Sequence, residues 1–165
     1  MNNETEALLR DAVMRSKRAV QDRECPCIVV LHGSRSLVLS DYDYLRDEPT
    51  AVAFEERTAE RAQEISAGRW ALAVPQVLAL TEGGVAARAA SNLPLREGER
   101  EAITWMTCDA EDGVDYGLVP YTRRPGGEPV FGDLEIFTVA VHPTEWMPGR
   151  HLLRALGLQR GDLGL

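Results

Sequence analysis

The chain has 165 residues, 44% of them apolar and 27% charged, with a formal net charge of −8. That length suits one domain, which at this size buries roughly 70% of its unfolded surface, and the apolar content excludes a disordered segment. The acidic balance argues against broad binding to nucleic-acid phosphates, which needs clustered Lys and Arg, and no apolar run reaches the roughly 20 residues that cross a bilayer.

Residues 4 to 20 bring Leu8, Leu9, Ala12, Val13, Ser16, Ala19 and Val20 onto one face at helical spacing, with Arg10, Asp11 and Arg15 off it. An amphipathic first helix is predicted. Cys27 to Leu31 and Ser36 to Leu39 are two short apolar runs around His32-Gly33-Ser34-Arg35, and the glycine there predicts two strands joined by a tight turn. Thr50 to Ser66 then places Ala51, Phe54, Thr58, Ala62 and Ile65 on one stripe and Glu55, Glu56, Glu60, Arg61 and Glu64 elsewhere, a second helix closed by Gly68.

Trp70 to Leu80 and Val85 to Ala90 flank a loop with two glycines, which predicts a β-hairpin. Three further strands are predicted at Ala102 to Cys108, Tyr116 to Arg123 and Leu134 to His142. The last is apolar on both faces and is expected to be central. Pro148 opens and Gly157 ends a short third helix carrying Leu152, Leu153 and Leu156. The fold class is therefore α+β over residues 1–165, a mostly antiparallel sheet of about five to seven strands with helices on one face, in the order α-β-β-α-β-β-β-β-β-α. Residues 1–3 and 158–165 are expected to fray.

No secretory signal is evident at Met1 to Glu6, so the chain is read as cytosolic, and the odd number of cysteines (Cys25, Cys27 and Cys108) is read as reduced thiols. The element order resembles roadblock-type and PAS-type or GAF-type sensor domains, a likeness of topology that implies a small-molecule pocket between sheet and helices.

The sharpest local feature is the segment Leu31 to Leu45, a strand, the Gly33-Ser34 turn, an apolar run and then Asp41 and Asp43. It resembles the minimal nucleotidyltransferase signature. The resemblance implies nucleotide phosphates held at Gly33 and Ser34 and magnesium held by Asp41 and Asp43, since hard carboxylate oxygens suit that cation and backbone donors suit phosphate. The bland alternative makes Gly33-Ser34 a hairpin turn and Asp41, Asp43 and Asp47 solvated acids.

Cys25-Pro26-Cys27, with Cys108, His32, His142 and His151 elsewhere, supplies the right atoms for zinc but not the paired knuckles of a structural site. The run Asp109 to Asp115 is acidic without the ligand order of a calcium-binding EF-hand, and is read as a solvated loop. Ser34 lies two residues from His32 but lacks a nucleophile elbow. With Lys17 the sole lysine, inside a helix, no Walker-type phosphate loop exists. Trp146, Met147 and Arg150 form a candidate partner-binding anchor, because Trp, Met and Arg are favoured at interface centres.

These readings converge on a non-catalytic binding or regulatory module that requires no cofactor and self-associates through a sheet edge or an apolar helix face, or binds another protein. Two alternatives stay open: a magnesium-dependent nucleotidyltransferase-like enzyme using Gly33, Ser34, Asp41 and Asp43, and a PAS-like or GAF-like sensor of a small molecule.

Overall fold

A computed structural model describes residues 1–81, 84–89, 94–137 and 147–156. Helix α1 (Asn3–Gln21) begins where the Asn2 side chain accepts the Thr5 N–H, and α2 (Glu48–Glu64) begins where Asp47 accepts the Thr50 N–H. Each cap satisfies one of the amide donors that a helix start leaves unpaired. In α2, Pro49 falls in the first turn, where a missing N–H costs nothing. The buried stripes match the predicted ones, Leu9, Ala12, Val13, Ser16, Ala19 and Val20 on α1, and Phe54, Thr58 and Ala62 on α2.

Strands β1 (Cys27–His32) and β2 (Ser36–Asp41) form the first hairpin, and β3 (Arg69–Thr81) with β4 (Gly84–Ala89) the second. Strands β5 (Glu99–Asp109) and β6 (Gly113–Arg123) follow, then the short β7 (Pro129–Phe131) and β8 (Glu135–Ile136), and helix α3 (Arg150–Ala155). All described pairings are antiparallel, in the spatial order β2-β1-β3-β5-β6-β7, with β4 also on β3 and β8 also on β6. The α+β class and the helix–strand order stand as predicted, and β7 is an extra strand.

The helices do not share one face. Residues of β1 and β3 alternate between two cores: Val29, Leu31, Trp70, Leu72 and Val74 pack with Phe54, Ala62 and Leu152 from α2 and α3, while Val30, Ala71 and Ala73 pack with Leu9, Ala12 and Val13 from α1. The sheet is the middle of three layers. The reason was written in the apolar runs of β1, β3 and β5, which are too continuous for a strand with one wet face. Full burial of each large side chain, such as Trp70 or Phe54, contributes about 1.5–3 kcal/mol.

The predicted central strand at 134–142 is corrected. Its described part, β8, is two residues at the outer side of β6, with Ile136 49% and Phe137 41% exposed, and residues 138–142 lie outside the described residues. The central positions belong to β3 and β5, which share an eleven-residue register from Arg69↔Asp109 to Ala79↔Glu99. No helix among the described residues is long and apolar enough to cross a membrane.

Candidate functional site

The β1–β2 register decides the fate of the nucleotidyltransferase-like signature. His32 pairs with Ser36 beside the turn, and Cys27 pairs with Asp41 at the far end. Five residue steps at about 3.3 Å each put Ser36 and Asp41 about 17 Å apart, whereas magnesium ligands lie at about 2 Å. Gly33 and Ser34 therefore sit at one end of the hairpin and Asp41 and Asp43 at the other. The structure does not bring them into one site.

Each pair has a local task instead. The Ser34 N–H donates to the Ile65 carbonyl at the end of α2 (2.7 Å), and a Cβ on Gly33 would stand 2.1 Å from that same oxygen. Glycine is needed because the end of α2 lies against the hairpin backbone. Gly33→Ala is expected to cost about 2 kcal/mol, seen as a lower urea midpoint, and an unchanged midpoint would contradict this packing role. Asp41 accepts the Asp43 N–H at 2.8 Å and faces Arg57 of α2 at 3.5 Å, which orders the turn after β2. Asp43 itself is exposed.

His32 pairs with the Ser36 hydroxyl at 3.1 Å rather than with Ser34. Cys27 and Cys108 are buried and Cys25 is half-buried, and among the described residues no group of three or more His, Cys, Asp or Glu side chains could hold a metal ion. Of the proposed partner anchor, Met147 packs partly buried against the core, Arg150 is half-buried at the start of α3, and Trp146 lies outside the described residues.

Two buried acids escaped the sequence reading. Glu55, expected off the buried stripe, is 1% exposed. One of its carboxylate oxygens accepts the Tyr44 hydroxyl (2.8 Å) and the other the Leu152 N–H (3.0 Å). Helix α3 starts at Gly149, which has no side chain to cap it, so a carboxylate from α2 does that work across the core. Burial raises the Glu55 carboxyl above its ordinary value, against the opposing pull of the Leu152 N–H and the Tyr44 hydroxyl. Around it is a pocket of about 250 Å³ that also receives His151 and Gln76.

Asp109, expected in a solvated loop, is 3% exposed. It accepts the Glu111 and Asp112 N–H groups, the Asn2 amide, the Thr5 hydroxyl and the Arg69 guanidinium, tying the β5–β6 turn to the start of α1 and to β3. Burial alone would raise its carboxyl, but the Glu111 N–H, the Asn2 and Thr5 side chains and the Asp112 N–H together hold it well below the carboxylate range.

Another cavity is an open groove of about 1170 Å³ at the end of the sheet away from the β1–β2 turn. Residues from the α1–β1 loop, the end of β2, the start of β5 and the end of β6 meet there. Two of its acids are already engaged, Glu101 by Arg123 (3.0 Å) and Glu99 by Arg88 (2.7 Å), which lowers Glu99 to about 2, and Glu24 is a third acid on its wall. Burial pushes the Cys25 thiol up, so it stays protonated and is a poor nucleophile. The rim is apolar at Tyr42 and Leu95, both exposed, beside the cations Arg23 and Arg100.

The third feature is an edge. Among the described residues β2 pairs only with β1, and no described strand takes up the N–H and C=O groups of its outer side. Its centre, Val38, is 42% exposed on the face that α1 covers elsewhere. No protein-family model matches the chain, and no curated protein or solved structure shows significant similarity to it.

Proposed function

We propose that this chain is a non-catalytic binding module that self-associates along the outer edge of β2. The observation that carries this reading is the edge itself. Natural sheets protect such edges with lysines, prolines, bulges or very short strands. β2 has none of these: it reads Ser36-Leu37-Val38-Leu39-Ser40-Asp41 and pairs with β1 through six consecutive residues without a bulge. At the opposite side of the sheet, by contrast, β7 starts with Pro129 and spans three residues, and β8 spans two.

Addition of a strand to such an edge supplies backbone hydrogen bonds for affinity and side-chain pairs for specificity. The odd number of cysteines suits a reducing compartment, and we place the module in the cytosol. The test is light scattering behind size-exclusion chromatography across the micromolar range. Wild type is expected to move from monomer to dimer, and Val38→Lys to stay monomeric with an unchanged unfolding midpoint, because an exposed lysine blocks the edge without touching the core. A wild-type monomer throughout would contradict the reading, as would a lysine variant that still associates.

A second reading, a small-molecule sensor, is supported by the groove, where exposed Tyr42 and Leu95 adjoin Arg23 and Arg100 and suit an amphipathic anion. Native mass spectrometry of the protein as purified would show a bound small anion, and a bare mass would count against it.

A further inference from the structure

We propose that the strand added to β2 is β2 of a second copy, running antiparallel across a twofold axis at Val38. This rests on the self-association reading and names its geometry. A twofold interface is isologous, so whenever one residue meets another, the reverse contact also forms. A strand suited to meet itself must therefore read compatibly in both directions about one residue. The segment Arg35-Ser36-Leu37-Val38-Leu39-Ser40-Asp41 does so.

With the axis at Val38, Val38 meets Val38 of the second copy, each Leu37 meets Leu39, each Ser36 meets Ser40, and each Arg35 meets Asp41. Every apolar residue faces an apolar one, every hydroxyl a hydroxyl, and every cation an anion, twice over. Shifting the axis to Leu37 or Leu39 sets serine against valine and removes the charge match. Directly opposed pairs of this kind are what fix register between antiparallel strands.

The pleat agrees. Leu37 and Leu39 pack against the α2 and α3 core, and Asp41 faces Arg57 of α2, so these three lie on one face, while Val38 lies on the other. A twofold axis perpendicular to the sheet keeps faces together, so the leucines of both copies extend one apolar layer and the two Val38 side chains cover each other. Arg35 is exposed and forms no ion pair among the described residues, which leaves it available to Asp41 of the second copy. The backbone of α2 approaches β1 more closely than β2. With strands about 4.8 Å apart, the two α2 axes then stand roughly 14 Å from one another and do not collide. The result is one continuous antiparallel sheet through both copies.

Single cysteines read the register directly. In a Cys25→Ser background, Val38→Cys is expected to form a dimer under mild oxidation, because opposed Cβ atoms lie about 4.5–5.5 Å apart. Ser36→Cys and Ser40→Cys are expected to cross-link when mixed and not alone, since each stands about 13 Å along the strand from its own copy. Arg35→Glu opposes two acids at each end of the pairing and is expected to weaken association several-fold, with added salt restoring part of the loss. If these proteins dimerise by sedimentation but Val38→Cys does not cross-link, the register is wrong while self-association stands. If they remain monomeric, both readings fall. Efficient cross-linking of Ser36→Cys alone would also overturn the register.

Discussion

Replacing Glu55 with alanine is expected to destabilise the domain by about 4 kcal/mol, lowering the thermal midpoint by roughly 12 °C. The change strands the Tyr44 hydroxyl and the Leu152 N–H, both buried, and each orphan costs about 1–3 kcal/mol. The cavity left under α3 adds to the loss. Glu55→Gln should stay within about 1 kcal/mol of wild type, because the amide oxygen still accepts the Leu152 N–H and the Tyr44 hydroxyl can rotate to accept from the amide nitrogen.

The pH dependence separates this account from simple loss of volume. Because burial raises the folded-state value of Glu55, the folded protein holds that proton more tightly than the unfolded chain. Its contribution is greatest below the unfolded value and declines as pH rises through the folded one. Glutamine does not titrate. Urea unfolding across that window should therefore show wild type losing ground to Glu55→Gln as pH rises, and parallel curves would contradict the assignment.

Asp109→Ala is expected to cost a similar amount, about 4 kcal/mol, by leaving the part-buried Arg69 contact, the buried Thr5 hydroxyl and the start of α1 without their shared acceptor. Asp109→Asn keeps the shape but not the charge, and about half the loss is expected. Here the sign is opposite. The folded-state value is depressed, so the stabilisation is fully present above the ordinary aspartate value near about 4 and disappears as pH falls through the folded one. Acid unfolding should show a shallower slope for Asp109→Asn than for wild type. An identical slope would mean that Asp109 does not carry this linkage.

What could be read in the sequence follows from which signals are local. Helical stripes such as Leu9, Ala12 and Val13, the asparagine and aspartate that cap α1 and α2, and the glycine-bearing hairpin loops depend on a few neighbouring residues. The order of elements was therefore legible. The two-sided covering of the sheet was also written in the chain, in runs such as Cys27 to Leu31, but needed a third layer to be inferred from them.

The long-range partners were not legible. Glu55 looks like the charged neighbours on its helix, and only the arrival of Leu152, ninety-seven residues on, explains its burial. Asp109 likewise depends on Thr5 and Asn2, over a hundred residues earlier. The Gly33-Ser34 and Asp41-Asp43 pairs illustrate the reverse error. Short spacing along the chain suggests proximity, but an extended strand turns a gap of a few residues into a separation no metal site tolerates. Had Ser36 to Asp41 been read firmly as one straight strand, the separation would have been foreseen. The edge at β2 could be recognised only once the strand order showed β1 on one side of it and no strand among the described residues on the other.

Hydrogen–deuterium exchange at low and high micromolar protein concentration distinguishes a paired β2 edge from an open one. Self-association along β2 predicts slower amide exchange at the higher concentration, confined to peptides covering residues 33–42 and abolished by Val38→Lys. Exchange in that segment that is independent of concentration, or protection that appears instead around β7 and β8, would contradict it.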